Sequence, residues 1–127
     1  MKTLVFSLVL TAVCTVCAAQ DGQKPVRLEK PDIERPGTVM KALSERKSTR
    51  EFSQKELSLR DLSDLLWAAN GINRTDGKRT APSALNKQDI DVYVIMKDGA
   101  YLYDAKAHAL NPIAKGDDRG AVGAGQD

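Results

Sequence analysis

Cysteine, histidine and aromatic residues are scarce in this sequence of 127 residues. The two cysteines, Cys14 and Cys17, lie in an apolar run near the N-terminus, and the only histidine is His108. One imidazole cannot supply the several nitrogen or sulfur ligands of a zinc site, and Ser–His–Asp or Cys–His catalysis has little support. We expect His108 to be a packing or surface residue, and any chemistry to depend on carboxylates, cations, hydroxyls or a borrowed cofactor.

The sequence also lacks a large excess of positive or negative charge. Lysine and arginine together number 19 against 17 acidic residues, and only 5% of residues are aromatic. A nucleic-acid-binding protein normally carries a basic stripe or a platform of aromatic side chains, so the sequence predicts no nucleic-acid partner. The 42% hydrophobic and 28% charged residues are typical of a soluble globular protein of one domain at most.

The N-terminus has the layout of a secretory signal peptide. Met1-Lys2 gives a positive start, Leu4–Cys17 is almost wholly apolar, and small residues lead to a predicted cleavage site after Ala19. The run is short for a membrane span, which needs about 20 residues, although an uncleaved anchor is an alternative. A lipoprotein signal is disfavoured because Val precedes each cysteine. Residues 1–19 therefore predict an exported protein, periplasmic or secreted and free of the membrane after cleavage.

Two helices are predicted in the remaining chain. Residues 20–37 have prolines and glycines among charges and predict a linker or an N-terminal arm, and Thr38 is suited to cap a short helix over about residues 39–45. Ser58 begins the clearest helix, with an acidic residue at the capping-box position, and Gly71 is suited to its C-terminal end. This helix carries an apolar stripe at helical spacing, formed by Leu59, Leu62, Leu65, Leu66 and Ala69.

A β-hairpin is predicted after a long loop over residues 73–87. Alternation over Ile90–Met96 predicts a strand, Asp98-Gly99 a turn, and residues 100–103 the returning strand, followed by a polar tail over residues 111–127. The predicted face of the first strand is Ile90, Val92, Val94 and Met96. The fold class is thus α+β, with two helices and one hairpin. Such a set buries little area, so we expect a partner subunit or a missing C-terminal half.

The first candidate binding segment is residues 46–50, Arg-Lys-Ser-Thr-Arg. If this first segment is extended, Arg46, Ser48 and Arg50 share one side of the chain. If it is helical, Arg46 and Arg50 still share a face. Either arrangement lets two guanidinium groups converge on a phosphate. Composition alone favours the alternative of a solvated charge cluster at a helix C-terminus.

The second candidate binding segment is residues 79–88. It combines a proline and small residues, which allow a close approach to the backbone, with amide and hydroxyl side chains. Such groups can line a flat heterocycle and hydrogen-bond to its edges. The alternative is an ordinary polar loop before a strand.

Taken together, these segments resemble the nitroreductase family of flavoproteins. Arg46–Phe52 resembles the phosphate motif Arg-Arg-Ser-x-Arg-x-Phe, the helix ending Leu-Leu-Trp-Ala-Ala-Asn-Gly resembles the helix that follows, and Ala81–Gln88 resembles Ala-Pro-Ser-x-x-Asn-x-Gln. Residues 99–110 resemble the hairpin of the branch that includes azoline-oxidising dehydrogenases. The order and spacing of the motifs over residues 38–118 carry the resemblance.

The resemblance implies a nitroreductase-like FMN-binding fold and a homodimer with FMN in each interface groove. It implies that the FMN phosphate and ribityl chain are held by Arg46, Lys47, Ser48 and Arg50. It also implies that the isoalloxazine or ribityl region lies along Pro82, Ser83, Ala84, Asn86 and Gln88. NAD(P)H or another donor would reduce the flavin, which would pass electrons to a small-molecule acceptor such as a nitroaromatic or a quinone.

Two departures from the family pattern concern residues 88–90 and the C-terminus. The motif usually continues Gln-Pro-Trp, whereas Gln88 is followed by Asp89-Ile90. Family members also extend well beyond position 127, so residues 38–127 are interpreted as the N-terminal portion of a truncated domain. The alternatives are a non-catalytic extracytoplasmic module that binds an anion or partner, and an inactive fragment.

Overall fold

The computed structural model describes residues 22–122 of the chain. The predicted signal peptide lies outside the described residues. The described chain combines helices with one antiparallel sheet, which confirms the predicted α+β class. Its elements are β1 (Val26–Arg27), α1 (Val39–Glu45), α2 (Leu59–Asn70), a 3₁₀ turn (Ala84–Asn86), β2 (Tyr93–Met96), β3 (Gly99–Asp104), β4 (Ala109–Lys115) and α3 (Arg119–Val122).

The predicted hairpin is the centre of a larger sheet. Strands β2 and β3 pair antiparallel, and the sheet order is β1-β4-β3-β2. The turn is Lys97-Asp98, one residue earlier than predicted, because Gly99 already pairs with Met96. The first strand begins at Tyr93, three residues later than predicted. Its predicted inner face is confirmed at Val92, Val94 and Met96, which pack against the core, whereas Ile90 is exposed.

Strand β4 and the short helix α3 occupy part of the predicted polar tail, so that prediction is wrong for residues 111–115 and 119–122. The ladder shifts register where Tyr101 pairs with Pro112 and Ala100 with Ala114, leaving one extra residue on β4. A bulge is a site where a strand tolerates proline, which has no N–H to donate. Asn111-Pro112 also interrupts the apolar alternation, which is why the sequence pattern did not indicate a strand there.

Helix α2 begins as predicted but presents a different face to the core. The Ser58 hydroxyl accepts a hydrogen bond from the Asp61 N–H at 3.0 Å and donates one to the Asp61 carboxylate at 2.7 Å. The predicted stripe is wrong at Leu59, Leu65 and Ala69, which are exposed. The buried residues of α2 are instead Ser63, Leu66 and Asn70.

Gly71 ends α2, but it does not adopt the left-handed backbone conformation that glycine often adopts at the end of a helix. Its backbone is extended, with φ −76° and ψ 160°, and its N–H donates to the Trp67 carbonyl at 2.7 Å. A Cβ at this position would overlap the Trp67 ring and lie 2.6 Å from the Trp67 carbonyl oxygen. The glycine therefore permits a close approach between the chain and Trp67, whose indole N–H donates to the Ile72 carbonyl at 3.1 Å.

The core lies between α2 and the sheet. Its buried members come mainly from β3 and β4, and they are Leu66, Tyr101, Tyr103, Ala105 and Leu110. Burial of apolar side chains contributes about 25 cal/mol per Å² of apolar surface removed from water. A core of this size leaves many large apolar side chains at the surface of a single chain, including Val39, Met40 and Leu43 of α1.

The N-terminal arm, residues 22–37, lies against both the sheet and α2. Its strand β1 pairs with β4, and further along the Glu29 N–H donates to the Ser63 hydroxyl at 3.0 Å. Arg35 binds Asp64 at 2.7 Å and also forms an ion pair with Asp61. The Arg35 hydrogen bond, followed by that from Ser58, lowers the pKa of Asp61 below its usual value.

Candidate functional site

The first segment follows α1 and lies outside any helix. Arg46 is extended, with φ −64° and ψ 122°, and residues 46–53 have no regular secondary structure. The helical alternative for this segment is therefore wrong. Thr38 accepts a hydrogen bond from the Lys41 N–H at 3.1 Å, so the predicted cap fixes where α1 begins and hence where the segment starts.

The polar side chains of the first segment are available to an external ligand. Arg46, Lys47, Ser48 and Arg50 are all exposed. Within residues 22–122 none of the four makes a hydrogen bond or an ion pair. Three unpaired cations close together in sequence create a positive local field, which favours an incoming phosphate. The same exposure is compatible with a solvated cluster.

The second segment is held by its own hydrogen bonds. The Ser83 hydroxyl accepts from the Gln88 N–H at 2.7 Å. The Gln88 side-chain amide donates to the Asn86 side-chain oxygen at 2.9 Å and to the Gly77 carbonyl at 3.4 Å. These bonds close residues 83–88 into a compact loop whose polar side chains are already oriented.

Three residues of this loop that are not glycine adopt left-handed backbone conformations. The φ angles are 53° at Leu85, 55° at Asn86 and 52° at Gln88. Such a conformation is disfavoured by roughly 1–2 kcal/mol for an ordinary L-residue, although asparagine tolerates it better. Strain of this kind clusters at ligand sites, where the surroundings hold it in place. Leu85 is also 90% exposed, so packing of its side chain does not account for the strain.

No hydrogen bond or ion pair among the described residues joins the first segment to the second. Each segment is presented separately, the first as exposed cations and the second as a hydrogen-bonded loop. That the predicted site residues share one ligand therefore stays a prediction. The positions concerned are Arg46, Lys47, Ser48, Arg50, Pro82, Ser83, Ala84, Asn86 and Gln88.

His108 is a packing residue, as its sequence context indicated. Its Nε2 lies 2.8 Å from the Glu29 carbonyl, which can only accept, so Nε2 carries the hydrogen. Its Nδ1 then accepts from the Tyr103 hydroxyl at 2.9 Å. Burial of Tyr103 raises the pKa of that hydroxyl above its ordinary value. Both ring nitrogens are engaged, which makes this imidazole poorly placed to transfer protons to a ligand.

Residues 22–122 contain neither a cluster of metal ligands nor a helix that could span a membrane. Within this range, no group of three or more histidine, cysteine or acidic side chains is arranged to hold a metal ion. In the same residues, no helix combines the length and the apolar character needed to cross a bilayer.

Comparisons with known proteins agree with the motifs. The sequence model of the Nitroreductase family matches residues 43–126, a range that contains both segments, α2 and the sheet strands β2 to β4. The chain belongs to the nitroreductase family, whose members are flavin-dependent oxidoreductases as a class. Both segments thus lie in the part of the chain that matches the family.

Two relatives show how far the similarity extends. A Methanocaldococcus jannaschii protein provisionally named a nitroreductase is 33% identical over 91 residues, which are 67% of this chain and 46% of that protein. A second relative is a crystal structure from Ralstonia eutropha JMP134, provisionally identified as a nitroreductase. It is 44% identical with a TM-score of 0.72, and the match covers 76% of this chain and 46% of the Ralstonia chain. The chain thus spans about half the length of these relatives.

Proposed function

We propose that this protein is an FMN-dependent oxidoreductase that accepts hydride from NAD(P)H or another donor and reduces a nitroaromatic, a quinone or a similar acceptor. A bound flavin would accept the hydride at N5 and supply the redox chemistry. The observation that carries the proposal is the first segment, in which unpaired cations stand at the positions of the family's phosphate motif.

The phosphate is assigned to Arg46, Lys47, Ser48 and Arg50. These exposed guanidinium groups make no ion pair within residues 22–122. Binding a phosphate therefore costs little free energy, because only water has to be displaced. Alternate residues of an extended chain share a side, which would direct Arg46, Ser48 and Arg50 toward one anion. Lys47 would add positive charge, but its ammonium group lacks the planar pair of donors by which a guanidinium binds a phosphate.

The ring or ribityl region is assigned to Pro82, Ser83, Ala84, Asn86 and Gln88. Small side chains at Ser83 and Ala84 let a flat ligand approach the backbone, and the Asn86 and Gln88 amides can hydrogen-bond to its edges. The Ser83–Gln88 hydrogen bond orders this loop before any ligand arrives, which reduces the entropy lost on binding. Residues 22–122 would thus contribute position and electrostatics.

A homodimer is proposed on the exposed apolar side chains near the first segment. Val39 and Met40 are each 75% exposed, Leu43 is 60% exposed and Phe52 is 79% exposed. Val39, Met40 and Leu43 share one face of α1 by helical spacing, and an exposed apolar face is a common mark of a subunit interface. Sedimentation of a Met40→Asp/Leu43→Asp variant should show dissociation, whereas an unchanged sedimentation coefficient would place the interface elsewhere.

Export is proposed from residues 1–19 alone. Mass spectrometry of the protein recovered from the natural host should give a mature chain beginning at Gln20. A chain retaining Met1 would contradict cleavage. Nicotinamide nucleotides are scarce outside the cytoplasm, so the donor of an exported enzyme need not be NAD(P)H.

The experiment is a flavin titration of the complete gene product, followed by anaerobic addition of NADH, NADPH or dithionite. The proposal predicts a yellow protein with stoichiometric FMN and bleaching of the flavin absorbance by at least one reductant. A folded, colourless protein that ignores FMN would contradict it. Phosphate binding without flavin binding would favour the non-catalytic anion-binding module instead.

A further inference from the structure

Arg79 carries a cationic side chain with no hydrogen-bond or ion-pair partner among residues 22–122, although its charge acts on the nearby Tyr103 hydroxyl. Its Nε atom is shielded from solvent and makes no hydrogen bond, and its guanidinium forms no salt bridge to a described residue. A shielded donor without a partner is costly, and the cost is larger for a charged group. Such a group in a native structure calls for an acceptor other than residues 22–122.

The backbone around Arg79 is firmly held. Arg79 pairs with Ile72 in an isolated antiparallel bridge, and the adjacent Thr80 N–H donates to the Gly71 carbonyl at 2.8 Å. The Arg79 carbonyl also accepts from the Arg74 guanidinium at 3.2 Å. Part of the loop predicted over residues 73–87 is therefore a small hairpin. This hairpin fixes the position of the Arg79 Cα atom. The absence of a partner for the Arg79 side chain is therefore not a consequence of a loose loop.

Arg79 lines a groove of about 280 Å³ between the end of α2 and strands β3 and β4. Polar residues around it include Asn70, Asp91, Asp104, Lys106 and Asn111. Of the groove's lining residues, only Arg79 belongs to the second segment, and it precedes the family motif at residues 81–88. The volume is near the lower limit of small-molecule sites, which span about 300–1,000 Å³.

The charges of the lining restrict the ligand. Arg79 and Lys106 are cations, but Asp91 and Asp104 also line the groove. Asp104 already accepts from the Lys106 N–H at 2.8 Å and the Ala107 N–H at 3.1 Å, so its carboxylate is held in place. A phosphate dianion would be repelled by the two carboxylates, whereas one planar carboxylate matches the guanidinium and carries half the charge.

We propose that Arg79 anchors the carboxylate of a small monocarboxylic acid in this groove. The site goes beyond the flavin function and does not depend on it. Asn111 provides an amide for hydrogen bonds to the rest of the ligand, whereas the Asn70 amide is already bonded to the Ile90 carbonyl at 3.2 Å. The aspartates favour a ligand whose second group is neutral or cationic. The role of Arg79 is binding, because the guanidinium supplies charge and a fixed pair of donors.

The test is a titration of the complete gene product with benzoate, observed by NMR through the ¹Hε–¹⁵Nε signal of Arg79. Benzamide, which lacks the charge, is the ligand control. We expect a saturable shift of the Arg79 signal with benzoate and an affinity at least tenfold weaker for benzamide. A shift that is absent, or equal for the two compounds, would overturn the proposal.

Two variants separate binding from structure. Arg79→Met keeps an unbranched apolar stem without the unpaired charge, so its Tm without ligand should equal or exceed that of the wild type. Benzoate should raise the Tm of the wild type and of the control Arg27→Gln, which changes an exposed cation on β1, but not that of Arg79→Met. Equal responses in all three proteins would overturn the proposal.

The groove could instead be occupied by FMN or by a second protein surface, and each of these occupants would give a different result. Displacement of benzoate by stoichiometric FMN would place Arg79 in the flavin site, and loss of self-association in Arg79→Met would assign the cation to a protein contact. Either result overturns a separate carboxylate groove. Neither would contradict the proposed oxidoreductase, which fails only if FMN itself does not bind.

Discussion

The hydroxyl of Ser63 in α2 accepts a hydrogen bond from the backbone N–H of Glu29, at 3.0 Å, and donates one to the Leu59 carbonyl at 2.6 Å. Ser63 has no solvent exposure. This one side chain therefore joins the N-terminal arm to the helix that covers the sheet. It also explains why the inward face of α2 includes a polar residue that a hydrophobic pattern would place outside.

Replacing Ser63 with alanine should destabilise the protein. The Glu29 N–H would lose its acceptor, and leaving a buried donor unpaired costs about 1–3 kcal/mol. Urea denaturation should show a lower midpoint with an unchanged slope. Ser44→Ala is the control, because the Ser44 hydroxyl is exposed and bonds only to the Lys41 carbonyl of its own helix. Equal effects of the two substitutions would contradict the joining role of Ser63.

Gly71→Ala should destabilise by about 1–3 kcal/mol, the usual cost of overpacking, because the new methyl group would overlap the Trp67 ring and carbonyl. Thermal unfolding followed by tryptophan fluorescence would report both the stability and the displaced indole. Gly120→Ala is the matched control, since a Cβ there meets nothing within 4 Å. A neutral Gly71→Ala would show that Trp67 moves aside freely.

The contact between the arm and α2 should weaken in acid. Hydrogen bonding from Arg35 and then Ser58 lowers the pKa of Asp61 from its ordinary 3.8, so its contribution is complete above that value. The contribution is lost as pH falls through the lower folded pKa. Carboxyl NMR of Asp61 should give a midpoint below 3.8, and Arg35→Gln should move it upward. A midpoint unaffected by Arg35→Gln would contradict the ion pair.

Ser83→Ala should disturb the second segment. The Gln88 N–H would lose its acceptor at 2.7 Å, and the left-handed residues Asn86 and Gln88 would be less restrained. We expect FMN affinity to fall about tenfold, which corresponds to about 1.4 kcal/mol and is within the net value of one hydrogen bond. Ser53→Ala, at an exposed loop serine outside both segments, is the control for the flavin titration. Unchanged affinity in Ser83→Ala would indicate that FMN does not contact this loop.

Local signals in the sequence predicted α1, α2 and the hairpin of β2 and β3, but not α3. Thr38 and Ser58 begin α1 and α2 because their hydroxyls accept from backbone N–H groups three residues later. The alternation from Val92 to Met96 placed one side of β2 on the core. These signals act within a few residues, so no tertiary information was needed to read them.

The missed features depend on contacts that are distant in sequence. Strand β4 exists because it pairs with β3, and β1 exists because Val26 meets Leu110 of β4. Neither pairing is revealed by one segment alone. The inner face of α2 includes Ser63 and Asn70 because Glu29 and Ile90 supply hydrogen-bond partners. For the candidate site, the family motif indicated which residues to consider. It did not indicate the left-handed backbone at Leu85, Asn86 and Gln88, because such a backbone is usually signalled by glycine and no glycine stands there.

The most direct measurement is the affinity of the complete gene product for FMN and for riboflavin, which lacks the phosphate. The variants are Arg46→Gln/Arg50→Gln and, as a matched control, Lys24→Gln/Arg27→Gln, whose cations are exposed and outside both segments. Two charge-assisted contacts of about 1.5–3 kcal/mol each predict a loss of FMN affinity of at least hundredfold, with riboflavin affinity nearly unchanged. Equal FMN affinity in the two double variants would contradict the assignment of the phosphate to the first segment.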